Sequence, residues 1–364
     1  MRSISTNQSG RLLQPLRNLI LGAFTVGLAL SASTSTAAVV TCGQTITQNT
    51  VLTNDLSGCT NNGIIVGADN ITLDLNGHSV SGTAASGDQA GIVLVGRTGV
   101  TVKNGTVRSF DAGVFINGGS NNTVDSVNAI DNISYENGPL TRGGDGIFIL
   151  SSRNNRILRN TVANNGPYSG IAIVSDADPN HPGDITGVSS GNVIDSNTVN
   201  GNIQARQPNS LANTDNDGIR LEPGNTGNFV LNNRVNSNGL DGIELFARNT
   251  STVVRGNIVT GNGFYRQTAR RGDGINAFKG ANDNLIELNQ SSGNADNGIA
   301  IRLGALNNTV RNNTAVQNTQ RPPIPSQTFG GTFDLFDQNA NCDNNIWQDN
   351  RYGTVFPSCA ADTP

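Results

Sequence analysis

A short phrase recurs along this chain: a glycine, then isoleucine or valine, then alternating apolar residues. It starts at Gly63, Gly91, Gly113, Gly146, Gly170, Gly218, Gly242, Gly274 and Gly298, with gaps of 28, 22, 33, 24, 48, 24, 32 and 24 residues. A sustained period constrains a fold strongly, because each unit can bury its apolar side only against the next. A base period of 24 with extra residues in certain turns accounts for most gaps. The gap of 48 is either one coil with two long loops or two coils with one start lost.

A second register runs in phase with the first. Asn160, Asn197, Asn233, Asn257, Asn289 and Asn313 each follow by three an apolar residue: Ile157, Ile194, Val230, Val254, Ile286 and Val310. Five residues further on stand Asn165, Asn202, Asn238, Asn262, Asn294 and Asn318. Period-two alternation over a few residues makes short strands. Asparagine tolerates left-handed turn geometry, glycine supplies turns that other residues resist, and stacked Asn amides can bond one another along an axis. No uninterrupted apolar heptad supports a helical solenoid, and the leucine spacing of leucine-rich repeats is missing. The expected fold is all-β: a right-handed parallel β-helix of about 24 residues per coil, with end caps.

The ends read differently from the middle. Arg11 and Arg17 precede an apolar run, Leu19 to Leu30, and small residues lead to Ala37 and Ala38. This is the pattern of an export signal, too short in its apolar run to span a bilayer. The expected organisation is a signal over 1–38, an N-terminal cap over 39–62, the β-helix over 63–320 and a C-terminal cap and tail over 321–364. A secreted or periplasmic destination follows, with no membrane attachment once the signal is removed. Cys42 and Cys59 are 17 residues apart, as are Cys342 and Cys359, one pair near each end of the mature chain. A zinc site would want a CxxC or more histidine than His78 and His181, so two local disulfides are expected. Removing Arg2, Arg11 and Arg17 from 23 bases leaves 20 against 27 acids, a net charge of −7. That balance argues against a nucleic-acid partner.

Between roughly residues 42 and 359 the chain resembles the pectate-lyase-like β-helix superfamily, and within it bacterial proteins with NosD-type repeats. The carriers are Ile71-Thr-Leu-Asp-Leu-Asn-Gly-His78, the Asn-Asn-Thr-Val runs at 121–124 and 307–310, and the Asp-Gly-Ile starts at 145, 217, 241 and 273. The resemblance implies a polysaccharide lyase, hydrolase or epimerase, or a surface and binding protein, since this fold hosts all of these. Lyases of this fold use Arg or Lys as base, and Arg220, Lys279 and Arg302 are the available candidates. Asn213-Thr214-Asp215 matches a polygalacturonase motif, but the accompanying Gly-His-Gly and Arg-Ile-Lys are absent. Asp178-Pro-Asn-His181 departs from the Asp-Pro-His-Asp of mannuronan epimerases.

The extra residues point to a site. Long turns at 131–145, 200–217 and 260–273 precede the Gly-Ile strand and should stack into a wall, with another loop at 175–190. In Gly218-Ile-Arg-Leu-Glu222, Ile219 and Leu221 point inward and Arg220 and Glu222 outward. The same reading turns out Glu244 and Phe246, then Asn276 and Phe278, then Ala300 and Arg302, whereas earlier coils show Val93, Phe115, Phe148 and Ala172 there. Arg220 should neighbour Glu244, and Phe246 should neighbour Phe278. Rings stack on sugar faces and arginine grips carboxylates, so an acidic polysaccharide is the expected partner. Catalysis is assigned to Arg220, Glu222 and Glu244, and substrate binding to Phe246, Phe278, Arg302, Asn276 and Arg271. Asn213, Asp215 and Asp217, in a loop resembling a calcium loop, are the candidate Ca2+ ligands. The rival readings are a solvated face of cross-strand ion pairs, with the aspartates capping turns, and a non-catalytic recognition or scaffold protein.

Overall fold

The computed structural model describes residues 35–83, 89–134, 144–175, 186–203, 216–264, 272–319 and 332–361. Each coil lays down three short strands, for example Ile243–Leu245, Val253–Arg255 and Ile258–Thr260, before the next coil begins at Ile275–Ala277. We call these strand positions face 1, face 2 and face 3. Pairing between coils is parallel, as expected, and in register except for a shift between Leu56 and Cys59 near the N-terminal end. Face 1 is a 12-stranded sheet running from Gln44–Ile46 to Val355–Phe356, and coil strands already begin at Thr36–Ala38, paired with Thr50–Leu52. The 48-residue gap is one coil: Ile171 pairs directly with Ile219, with a single strand on each other face between them, Val193–Asp195 and Thr198–Asn200.

Inward side chains fill the bore. Ile219, Leu221, Val230, Val235, Ile243, Leu245, Val254 and Val259 are all fully buried. Each such side chain contributes about 1.5–3 kcal/mol relative to exposure, and the contribution repeats coil after coil.

The predicted asparagine columns are present. Asn233 donates through its backbone N–H and Nδ2 to Oδ1 of Asn257, at 2.9 and 3.0 Å. Nδ2 of Asn257 donates to Val230 O and to Asn289 Oδ1, both at 2.9 Å. The second column bonds in the same way, from Asn165 to Asn202 and on to Asn294 and Asn318. A third column, not expected as such, stands at the entry to face 2: Asn122, Asn155, Asn192 and Asn228, then Thr252, Asn284, Asn308 and Asn345.

Two expectations about turns need correction. The column asparagines are not the left-handed residues; the residue before each one is. Arg159, Ser196, Asn232, Gly256, Leu288 and Asn312 have φ between 53° and 70°. The ladder asparagine needs its side chain directed inward along the axis, and the corner one residue earlier makes the bend. Nor do the Gly-Ile glycines serve a turn. A Cβ on Gly242 would lie 2.3 Å from Val259 Cγ1, 2.6 Å from Gly274 O and 2.8 Å from Asn262 Nδ2. Glycine is required there because the backbone passes against the asparagine stack.

Both ends are clamped as expected, by disulfides Cys42–Cys59 and Cys342–Cys359. Closing a loop of this length contributes about 3 kcal/mol in the chain-entropy model. At the C-terminal end the second column finishes on Asp334, whose Oδ1 accepts from Asn318 N and Nδ2 at 3.0 and 2.9 Å. The third column finishes on Asp337, which accepts from Asn345 Nδ2 and Trp347 Nε1. His78 serves structure, with Nδ1 3.1 Å from Asp55.

Candidate functional site

The outward residues of face 1 change character along the axis. Near the N-terminal end Val93 and Phe115 lie in a second apolar cluster, with Ile65, Phe148 and Val174 packed against it. From the coil at 217 the column becomes polar: Arg220 pairs in register with Glu244, and Glu244 with Asn276. The next outward position carries Phe246 and Phe278, whose rings stack with centroids 5.0 Å apart at 19°. The expected neighbours are neighbours.

A third column completes the group. The aspartates that open the Asp-Gly-Ile phrases stand just before the strand and stack on each other. Asp217 Oδ1 accepts from Asp241 N at 2.8 Å, Asp241 Oδ1 from Asp273 N at 2.6 Å, and Asp273 Oδ1 from Asn297 N at 3.0 Å. One carboxylate oxygen thus ties each coil to the next, a ladder between coils rather than the cap of a single turn. The other faces the outward columns. Asp217 Oδ2 lies 3.1 Å from Arg220 Nη1, Asp241 Oδ2 accepts from Asn276 Nδ2 at 2.8 Å, and Asp273 Oδ2 is paired with Arg302.

Arg220 is the hub. Its guanidinium meets Asp217, Glu222 at 2.6 Å and Glu244 at 3.2 Å, and lies 4.4 Å from the centroid of the Phe246 ring. Arg302 meets Asp273 and Asn276, and its other side lies 5.5 Å from the Phe336 ring. Four carboxylates therefore pair with two guanidiniums, and a fifth, Asp241, accepts from Asn276 instead. Burial, then the Asp273 and Glu244 carboxylates, push Asp241 well above the ordinary carboxylate range, although Asn276 and the Asp273 N–H oppose this. Burial disfavours the charged form of Arg302, but Asp273, Asp241 and Asp296 outweigh it and raise its pKa.

The face is less open than its outward direction implies. Arg220, Glu244 and Asn276 are only 6%, 5% and 5% exposed, whereas Phe278 is 37% exposed and the Glu222 side chain 25%. Pointing outward from the bore does not guarantee contact with water. Glu222, Phe278 and Arg302 form the front of the site, and Arg220, Glu244 and Asn276 the back. Lys279 is exposed in the turn after Phe278. Arg271, Asn213 and Asp215, and most of the long loops, lie outside the described residues.

Asp217, Asp241 and Glu244 each offer a carboxylate oxygen within 4.8 Å of the others. A buried, oxygen-only donor set of this kind can hold a hard cation. Of the sequence-based ligand set Asp217 belongs to it, and Asn213 and Asp215 lie outside the described residues. Asp241 was visible as a turn aspartate and Glu244 as an outward charge, but contacts across a 24-residue coil bring them together.

The family model described as "Right handed beta helix region" matches residues 36–266 and 207–361. The chain belongs to the right-handed β-helix family. Among solved β-helix structures it is similar to the A-module of mannuronan C-5 epimerase AlgE4 from Azotobacter vinelandii, with 14% identity over 88% of this chain and 86% of that one and a TM-score of 0.61. The Dettilon tailspike protein is 16% identical over 83% of this β-helix and 55% of its own chain, with a TM-score of 0.57. Pectate lyase Pel9A is 13% identical over 82% and 70%, with a TM-score of 0.51. At these identities the likeness is one of fold. No match was found among curated protein sequences. Among the described residues no helix is long and apolar enough to cross a membrane.

Proposed function

We propose that this β-helix protein is exported and binds and processes an acidic polysaccharide on face 1, by proton transfer at the carbon beside a sugar carboxylate. This is the chemistry of lyase and epimerase routes. The observation that carries the reading is one continuous network, Arg220 with Asp217, Glu222 and Glu244, then Asn276 and Arg302, edged by the stacked Phe246 and Phe278 rings. The fold neighbours add a mannuronan epimerase and a pectate lyase, both named for carboxylated sugar polymers. The leader pattern and the two disulfides support export.

Proton abstraction beside a carboxylate needs a base, something to neutralise that carboxylate, and a proton source. An arginine held by three carboxylates has no lone pair to offer, so Arg220 positions its neighbours and the base role goes to Glu222, the most exposed acid. Arg302 sits at the front, able to grip a sugar carboxylate in bidentate fashion. Asp241 holds a proton that its neighbours favour. A base on the sugar's ring carbon takes the proton. The electron pair then either expels the glycosidic oxygen, which takes up a proton, or is reprotonated from the opposite face. The Asp217, Asp241 and Glu244 group would hold Ca2+ only with Asp241 ionised, so a cation there and the proton on Asp241 exclude one another.

The test is to incubate the mature protein with polymannuronate, alginate and polygalacturonate. Lyase action is followed by absorbance of the unsaturated product, and inversion at the ring carbon by NMR. Glu222→Gln should abolish turnover while leaving binding within a few fold. Arg302→Ala should weaken binding about tenfold or more, with part of that loss masked at high salt. No turnover on any of these polymers, with binding retained, would favour a non-catalytic recognition protein. The burial of Arg220, Glu244 and Asn276 is the observation on the side of that second reading.

A further inference from the structure

Beyond the acidic cluster, the same columns of face 1 change chemistry once more. Phe336 pairs in register with Ala300, and Phe356 with Phe336, so these rings continue the column of Arg220, Glu244 and Asn276. Phe333 continues the aspartate column. Its backbone N–H donates to Asn297 Oδ1 at 2.8 Å, as Asn297 donates to Asp273. In the last two coils aromatic rings therefore stand where carboxylates and Arg220 stand in the middle coils.

The three rings form one platform. Phe333 and Phe356 lie 5.3 Å apart at 20°, Phe336 and Phe356 6.3 Å apart at 19°, and Phe333 and Phe336 6.1 Å apart at 9°. A packed core would bury such rings. Here Phe336 is buried as the base, while Phe356 is 52% exposed. Phe278, the front ring of the acidic site, faces solvent on the same sheet. Arg302 joins the two regions, bonded to Asp273 and Asn276 on one side and lying over Phe336 on the other.

We infer that Phe333, Phe336 and Phe356 are an additional sugar-ring subsite, which receives the part of a glycan chain that extends from the acidic cluster toward the C-terminal end. Near-parallel exposed rings bind the apolar face of a pyranose, and the platform carries no carboxylate to repel an acidic polymer. The coil rise of about 4.8 Å is close to the length of one sugar unit in an extended chain. Successive units can thus pass Phe278 and Arg302 and reach Phe356, with Phe336 supporting the platform from beneath. The inference rests on the proposed glycan reading for its polymer, and stacking itself is indifferent to sugar charge.

The test measures Kd by calorimetry for a trimer and an octamer of mannuronate, and for a neutral glucan octamer. Wild type, Phe356→Ala and Arg302→Ala are compared. Because Phe356 is exposed, its variant should fold normally, and an unchanged melting temperature verifies this. The expected result is that Phe356→Ala weakens the mannuronate octamer about three- to tenfold, the loss of one good stacking contact, and leaves the trimer unchanged. Arg302→Ala should weaken trimer and octamer alike. Equal affinity of wild type and Phe356→Ala for the octamer would overturn the subsite while leaving the acidic-glycan reading in place. Binding of the neutral glucan alone, lost in Phe356→Ala, would keep the subsite and overturn the acidic reading. No binding of any oligomer by wild type would overturn both.

Discussion

Asn257→Leu isolates what the amide ladder contributes. Leucine has the branching of asparagine and opens no cavity. Its methyl groups want contacts of about 3.5 Å or more where the amide makes hydrogen bonds of 2.9 Å, so some crowding adds to the lost bonds. Oδ1 of Asn257 accepts two hydrogen bonds, from Asn233 N at 2.9 Å and Asn233 Nδ2 at 3.0 Å. Asn233 is fully buried, so neither donor can turn to water. Each orphaned buried donor costs about 1–3 kcal/mol. On the other side, Asn289 Oδ1 keeps the backbone N–H of residue 257, at 2.9 Å, and loses only the amide bond. The expected destabilisation is about 2–4 kcal/mol, reduced somewhat by the gain from burying leucine. Asn236→Leu, a half-buried outward position on face 3, is the control and should shift stability by less than about 0.5 kcal/mol. Urea unfolding followed by circular dichroism and by fluorescence of the single tryptophan, Trp347, would show whether the transitions coincide. An unchanged midpoint with an unchanged slope for Asn257→Leu would refute the claim that the ladder stabilises the solenoid.

Other consequences can be measured directly. Asp241 is raised, so the folded state holds its proton more tightly than the unfolded chain. The stability contribution of that proton is full below the unfolded value and is lost as pH rises toward the folded one. Melting temperature should therefore fall as pH rises above the ordinary carboxylate range, and Asp241→Asn should flatten that slope; identical slopes would contradict it. Leu288 adopts φ 57° with its side chain 55% exposed, so it bears left-handed strain without packing to compensate. Leu288→Asn should raise stability by roughly 0.5–1 kcal/mol, and a lower melting temperature would refute this.

The period, the inward residues and two asparagine columns were legible because each recurs at a fixed offset from an apolar residue. The third column carries the same signal, two residues before the apolar residues Val124, Ile157, Ile194 and Val230, and is broken only where Thr252 takes an asparagine's place. The one-residue offset between corner and ladder was missed because asparagine suits both roles, and only φ separates Asn232 from Asn233. Arg220, Glu244, Phe246 and Phe278 were found from strand alternation alone. Their burial was not, since alternation gives a side chain's direction and not how its neighbours, here Glu222, Phe246 and Arg302, pack against it. Phe333, Phe336 and Phe356 escaped because the long segment after residue 319 breaks the phase that would align them with Asp273 and Asn276.

The asparagine columns have a direction. Each column asparagine gives its backbone N–H and one amide hydrogen to the side chain on its C-terminal side, and its other amide hydrogen to a carbonyl of the coil before it. A stack built this way behaves like a growing polymer with one reactive end: any last coil that still carried an asparagine would offer two hydrogens to whatever came next, including another molecule. Asp334 takes both hydrogens from Asn318 on Oδ1 and turns its other oxygen to Gly353 and Thr354, and Asp337 takes one from Asn345. In two of the three columns these carboxylates act as chain terminators, while the first column ends on Asn350, whose amide donates back to Val310 O. An acceptor-only side chain written at the end of a column is thus one way of closing such a stack against further addition.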